Sequence, residues 1–159
     1  MPVSNPRKRS TVARLVPACK LTHLDASNRP AMVNVGDKSV SYREATAEAI
    51  ITLPTAVARE LARTGHRAKK GPVFDTAIIA GVLAAKRTHE LIPFCHPLPI
   101  ERCDVTVAAQ RGGQLRVLCT VAATHKTGVE MEALTGASVA ALTVYDMCKA
   151  LSHDIVIGP

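Results

Sequence analysis

Hydrophobic and polar residues alternate along several stretches of the chain, and these stretches are the first elements that the sequence predicts. Residues 32–35 alternate as a short strand, and residues 41–53 alternate over a much longer stretch with alanines along one side. A period of two is typical of a strand with one buried face, although the Ala and Glu content of 41–53 also permits a helix. The same alternation predicts further strands at 100–109, at 115–123 after a turn at 111–114, and at 155–157.

Three helices are predicted between and after these strands. A short helix opens at Pro54, a residue that suits an early helical position, and stops at Gly65. A second helix starts at Pro72, and a long third helix covers 129–151. Between the last two lies 91–99, which cannot be a regular helix because its prolines remove backbone donors. The order ββ(αα)ββαβ favours an α+β fold, an α/β plait with an antiparallel sheet and helices packed on one face.

The composition fits a globular domain with an unusual core. Apolar residues make up 47% of the 159 residues, 24 of them are alanine, and there is no tryptophan. A core of this kind packs by close approach of backbones. The longest stretch without a charge, 133–145, is shorter than the roughly 20 residues that a membrane-spanning helix needs, so a membrane span is excluded.

The net charge of +7 is concentrated at the start of the chain, because residues 1–24 carry five basic side chains and no acid. We interpret 1–20 as a flexible basic extension and 21–159 as a single domain. An organelle transit peptide, an arm that touches nucleic acid and an extension with no set role all remain open for 1–20. The extension lacks the apolar core of a signal peptide, so we expect the protein to be cytoplasmic.

The five cysteines are odd in number and form no CxxC pair, so reduced thiols are expected and neither a disulfide framework nor a metal site is predicted. Cys95 and His96 are neighbours, but adjacent residues rarely chelate one ion.

Four short motifs carry side chains that could do chemistry, and each also has a purely structural interpretation. Lys70 precedes a glycine near a helix start and could hold a phosphate, or it could be a solvated surface residue. His96 lies on a rigid backbone and could transfer protons, or it could bond to the backbone. Glu130 and Glu132 begin a helix, where capping carboxylates are common. Asp146 and Lys149 share one helix face as an ion pair or as an acid/base group with an anion anchor.

Longer runs of sequence closely resemble the MoaC family, the cyclic pyranopterin monophosphate synthases of molybdenum cofactor biosynthesis. The resemblance covers about 21–159 and rests on IPFCHPL at 92–98, KTGVEMEALT at 126–135 and YDMCKA at 145–150.

The resemblance implies a ferredoxin-like subunit in a homo-hexamer, a trimer of dimers with active sites at the dimer interfaces. It implies no cofactor, and a substrate that is the 3′,8-cyclo-7,8-dihydro derivative of GTP, converted to cyclic pyranopterin monophosphate with release of pyrophosphate. By motif, Asp146 looks like the catalytic acid/base, with Lys149 as its companion. The positions that resemble substrate contacts are Phe94, Cys95, His96, Met131 and Glu132, and those that match other site positions are Lys70, Arg43 and Glu130.

The physical interpretation agrees with these roles. Lys70, Lys149 and Arg43 would neutralise the triphosphate and the leaving pyrophosphate, while His96 and the carboxylates would move protons.

The sequence leaves two other functions to consider. The family continues past 157–159 into a glycine-rich loop with a further lysine, which the 159 residues do not include. The alternative is therefore a homologue that binds the pterin precursor as a scaffold without turnover. An RNA-binding plait is disfavoured, and no nucleic-acid partner is expected, because the sequence has no aromatic pair on which bases could stack.

Overall fold

The computed structural model describes residues 24–25 and 27–158, which form two compact units, one ending at Val33 and the other beginning at Asn34. The predicted basic extension, 1–20, lies outside the described residues. In the first unit Leu24 and Pro30 form an isolated antiparallel bridge. The loop between them is held by Asp25, whose carboxylate accepts hydrogen bonds from the amides of Ser27 and Arg29.

A four-stranded antiparallel sheet is the centre of the second unit. Its strands are β1 (Ser41–Thr52), β4 (Arg102–Ala109), β5 (Gln114–His125) and β6 (Val156–Ile157), in the order β4-β5-β1-β6. Strand β1 pairs with β5 along its whole length, from Ser41 opposite His125 to Thr52 opposite Gln114. This pairing confirms that 41–52 forms a strand and not the helix that its composition also permitted.

Alternation along β1 separates a buried face from a polar face, as the sequence pattern predicts. Ala47 and Ile51 lie in the core. On the opposite face, Glu48 pairs with Arg116 of β5, and Thr46 shares a hydrogen bond of 2.8 Å with the Thr120 hydroxyl. This outer face is therefore held by cross-strand polar pairs.

In the described part of the chain four α-helices pack against the sheet or connect its strands: α1 (Thr55–Arg63), α2 (Val73–Ala85), α3 (Thr88–Leu91) and α4 (Glu130–Cys148). The two longest, α2 and α4, meet at Gly81 and Gly136. A Cβ atom on Gly81 would lie 2.9 Å from the carbonyl oxygen of Gly136, and one on Gly136 would lie 2.5 Å from the sulfur of Cys119. The small residues therefore allow the close packing that the alanine-rich composition predicted, and the α+β fold with helices on the sheet is confirmed.

The end of α1 directs the chain into a hairpin that the sequence did not predict. Gly65 has a φ of 63° and its amide donates to Ala62, while the amide of His66 donates to the carbonyl of Leu61 at 2.7 Å. This pair of bonds is a Schellman helix end. Strands β2 (Arg67–Ala68) and β3 (Gly71–Pro72) follow, joined by a two-residue turn.

Two predicted elements differ from the structure. Residues 32–35 form no strand, because they pair with no other strand among the described residues and the Asn34 side chain accepts the amide of Gly36 in a local turn. Helix α4 covers less than the predicted 129–151.

None of the helices in the described part of the chain is long and apolar enough to cross a membrane.

Candidate active site

Two lysines converge on one carboxylate at the C-terminal end of α4. The ammonium group of Lys70, in the β2–β3 turn, donates to Oδ2 of Asp146 at 2.6 Å and to the backbone oxygen of Asp146 at 3.1 Å. Lys149 approaches Oδ1 of the same carboxylate at 2.9 Å. The three side chains are about half exposed, so the cluster is accessible from solvent. We call these three residues the lysine–aspartate cluster.

The lysines control the ionisation of this carboxylate. The hydrogen bonds from Lys70 and then Lys149 lower the pKa of Asp146 to about 2, and in return Asp146 raises the pKa of Lys149. At neutral pH the cluster therefore holds one carboxylate and two ammonium groups, a net positive charge. It can attract a phosphate and still present a carboxylate that accepts a proton.

A second group of site residues lies at the N-terminal end of α4. Glu132 is only 4% exposed, and burial raises the pKa of its carboxyl above the usual range. Glu130 precedes it, with its carboxylate folded back over Gly128. A carboxyl with a raised pKa keeps its proton to a higher pH than an exposed carboxyl, which makes it a candidate for proton transfer.

The proline-rich segment after α3 contributes to the same end of α4. Burial, and then the negative charge of Glu132, raise the pKa of the Cys95 thiol. His96 is half-buried beside Cys95. Phe94 and Met131 are 40% and 38% exposed. These two apolar side chains are available to pack on a flat ring.

Arg43 lies on the helix-facing side of β1, half-buried, and its Nε has no hydrogen-bond partner among the described residues. The register of β1 with β5 places His125 on the same face, two residues along from the partner of Arg43. Nδ1 of His125 and the hydroxyl of Thr127 also lack partners within the described part of the chain. The sequence assigned no role to His125 or Thr127, although Thr127 lies within the KTG motif and His125 directly precedes it.

The structure brings some of the predicted site residues together and keeps others apart. Lys70, Asp146 and Lys149 are in contact, and the charge of Glu132 acts on the pKa of the Cys95 thiol. These two groups occupy opposite ends of α4. Glu132 and Asp146 are separated by 14 helical positions (146 minus 132), which corresponds to about 21 Å along the axis.

No group of three or more His, Cys, Asp or Glu side chains that could hold a metal ion occurs in 24–25 or 27–158.

Comparison with known proteins gives one consistent result. The chain is 58% identical over 142 residues to the cyclic pyranopterin monophosphate synthase of Xanthomonas campestris pv. campestris (strain B100), which covers 89% of this chain and 86% of that protein. The synthase of the same name from Brevibacillus brevis is 51% identical over 141 residues, 88% of this chain and 86% of its own length. A molybdenum cofactor biosynthesis bifunctional protein from Synechocystis is 49% identical over 140 residues, 86% of this chain and 40% of its own length.

These relatives do not support the alternative of a scaffold without turnover, because they carry the names of biosynthetic enzymes. The family model described as the MoaC family matches residues 32–159, which include every site residue described above. The chain therefore belongs to the MoaC family.

Proposed function

We propose that this chain is a cyclic pyranopterin monophosphate synthase of molybdenum cofactor biosynthesis. It converts 3′,8-cyclo-7,8-dihydro-GTP to cyclic pyranopterin monophosphate and releases pyrophosphate. The observation that carries the proposal is the lysine–aspartate cluster, a carboxylate between two ammonium groups, in a chain 58% identical to a synthase of that name.

The two lysines provide the positive charge that this reaction requires. When the cyclic phosphate closes, the bond from the α-phosphorus to the bridging oxygen breaks and negative charge builds up on the leaving pyrophosphate. Lys70 and Lys149 neutralise that charge as it develops. The ammonium groups are already oriented by Asp146, so they lose little side-chain freedom on binding.

Asp146 serves as the base before it serves as an acid. With a pKa of about 2 it is ionised in the free protein. When a triphosphate shares the lysines with Asp146, their hydrogen bonds to the carboxylate weaken and the pKa of Asp146 rises, which makes it a better proton acceptor. Phosphate binding by the two lysines thus changes the pKa of Asp146, and this couples phosphate binding to proton transfer.

The opposite end of α4 holds the ring system of the substrate. Phe94 and Met131 provide apolar contact, and Glu132 with Cys95 provides polar groups that stay neutral more readily than exposed ones. His96 is placed to move a proton during the ring rearrangement. Arg43 supplies a donor that no side chain or backbone oxygen of the described residues engages.

A second copy of the chain completes the site. The ring system and the α-phosphate are adjacent in the substrate, whereas the two groups of side chains lie about 21 Å apart on one α4. If two α4 helices pack antiparallel about a two-fold axis, the N-terminal end of one meets the C-terminal end of the other. The exposed apolar residues between the two ends, Leu134 and Leu142, supply the contact. The proposed assembly is a homo-hexamer built as a trimer of such dimers.

We place the reaction in the cytoplasm, where free thiols such as Cys95 and Cys148 stay reduced.

Single-turnover conversion of the cyclic dihydro-GTP intermediate by the 159-residue chain, followed by pyrophosphate release, tests the proposed reaction. Stoichiometric pyrophosphate and formation of the cyclic phosphate product are expected. Substrate binding without pyrophosphate release would contradict the proposal.

Mixing two inactive variants tests whether the site is shared. Asp146→Asn and Glu132→Gln each damage both sites of a dimer, but a mixed dimer has one site with both changes and one with neither. Co-refolding equal amounts should restore roughly one quarter of the wild-type activity if dimers are two-fold and mix at random. Activity no higher than that of the separate variants would show that one chain supplies the whole site.

A further inference from the structure

The residue that follows the end of α1 has an unusual backbone conformation. His66 has a φ of 61°, directly after Gly65 at 63°, and within 24–25 and 27–158 the other non-glycine residue with positive φ is Asn28. A side chain in this left-handed region costs free energy that glycine does not incur. If this position had only to reverse the chain, glycine would be more favourable there than histidine.

The imidazole ring gives His66 a contact that glycine could not make. It stacks on the ring of Phe74 in the first turn of α2, with ring centroids 4.1 Å apart and an interplanar angle of 20°. The backbone of His66 is held at both sides, since its amide donates to Leu61 at 2.7 Å and its carbonyl accepts from the amide of Val73 at 2.9 Å. His66 therefore joins the end of α1 to the start of α2.

The β2–β3 hairpin projects from this junction. It has two residue pairs, Arg67 with Pro72 and Ala68 with Gly71, which is too few for a hairpin to be stable alone. Its direction is set at its base, where the Thr64 hydroxyl donates to the carbonyl of Arg67 at 2.6 Å and His66 stacks on Phe74. The turn of the hairpin carries Lys70 to Asp146.

We propose that His66, by stacking on Phe74, is a positioning residue that holds Lys70 against Asp146. The effect on turnover rests on the proposed function, but the effect on the Lys70–Asp146 pair does not. Loss of the ring lets the hairpin move, so that Lys70 pairs with Asp146 for less of the time and meets the substrate phosphate less readily.

Three variants isolate the stack. His66→Gly keeps the left-handed backbone and removes the ring, and Phe74→Leu removes the partner ring. Phe74→Tyr keeps an aromatic ring in the same place and is the conservative replacement. Asn28→Gly relieves the same kind of backbone strain elsewhere and serves as the control for that relief.

The decisive readout is the titration of the Asp146 carboxyl, followed by carbon NMR, with Lys70→Met as the reference for complete loss of one lysine. We expect His66→Gly and Phe74→Leu to move the pKa of Asp146 from about 2 part of the way toward the value in Lys70→Met. Phe74→Tyr and Asn28→Gly should titrate like the wild type. A wild-type titration in His66→Gly and Phe74→Leu, beside a raised pKa in Lys70→Met, would overturn the proposal.

Kinetics give a second, separate readout. His66→Gly should raise KM roughly tenfold, less than Lys70→Met, because a charge-assisted contact is weakened and not removed. Its thermal midpoint should not fall, since glycine relieves strain at this position. An unchanged KM with a lowered midpoint would assign His66 a structural role only. If the wild type shows no turnover, the proposed function fails, and the Asp146 titration still decides this proposal.

Discussion

At the scale of single residues, Asp146 is bound by one lysine at each of its carboxylate oxygens. We expect Asp146→Asn to lower the single-turnover rate by roughly 10²–10⁴-fold, the range for loss of a general acid or base. The thermal midpoint should change little, because exposed ion pairs contribute little to stability. Parallel rate and melting measurements check both, with the exposed Asp75→Asn as the control. A rate within twofold of the wild type would remove Asp146 from the mechanism.

The buried carboxyl of Glu132 should make the stability of the protein depend on pH. Burial raises its pKa in the folded state, so above the unfolded value of 4.5 the folded protein binds more protons than the unfolded chain. Stability conferred by this group therefore falls as pH rises from 4.5 through the folded pKa.

Glu132→Gln removes this titration, so its free energy of unfolding relative to the wild type should increase between pH 4 and pH 7, while its turnover falls. Denaturant unfolding at the two pH values measures the difference. Equal differences at both pH values would show that Glu132 is not held in its neutral form by burial. The exposed Glu90→Gln is the control, because Glu130 itself contributes to the raised pKa of Glu132.

The residues of the cluster differ in how well the sequence could predict their contacts. Asp146 and Lys149 are three positions apart on a helix, and that spacing predicted their pairing, as the structure confirms. Lys70 is 76 residues from Asp146 in the chain, and no local pattern encodes such a contact. The lysine before a glycine suggested a phosphate contact for Lys70, but its pairing with Asp146 could not be predicted, because long-range contacts depend on how the whole sheet and its helices pack.

At the scale of elements, α4 determines the layout of the site, since its two ends carry the two groups of polar side chains. Its middle is fixed against α2 and β5 where Gly136 meets Gly81 and the sulfur of Cys119.

Gly136→Ala should lower the free energy of unfolding. Overpacking costs about 1–3 kcal/mol, and the gain of about 1 kcal/mol in helix propensity offsets only part of that. The double variant Gly136→Ala/Cys119→Ala should recover part of the loss, because it removes the clashing sulfur. Urea unfolding measures both variants, and the exposed Ser138→Ala on the same helix is the control. A Gly136→Ala protein more stable than the wild type would contradict the close contact.

Elements with several periods of a pattern were predicted well, and those without one were not. Strand β1 has 12 alternating residues, and the structure confirms it. Strands β2 and β3 have two residues each, too few to show a period, so the sequence did not predict the hairpin that carries Lys70. Residues 32–35 alternate but pair with no strand among the described residues, so alternation alone is not sufficient to form a strand.

At the scale of the whole molecule, the outer surface of helices α2 and α4 exposes several large apolar side chains. Ile79 of α2 is 62% exposed and Leu142 of α4 is 58% exposed, and Leu83 and Leu134 lie on the same two helices. Exposed apolar residues in such a group are typical of an interaction surface. The outer face of the sheet, in contrast, carries paired charges such as Arg102 with Asp104.

Leu142→Lys tests whether the helix surface joins two copies. The side chain is exposed in one subunit, so the subunit should fold normally, but a lysine buried without a partner in an interface costs several kcal/mol, enough to weaken association roughly a hundredfold. Light scattering should show a smaller species, and turnover per chain should fall and recover as protein concentration rises. Thr106→Lys, which places the same charge on the outer face of the sheet, should leave mass and turnover unchanged.

If Leu142→Lys retained the wild-type mass and rate, the shared site would have to form through another surface. The 21 Å between Glu132 and Asp146 would then need a different explanation.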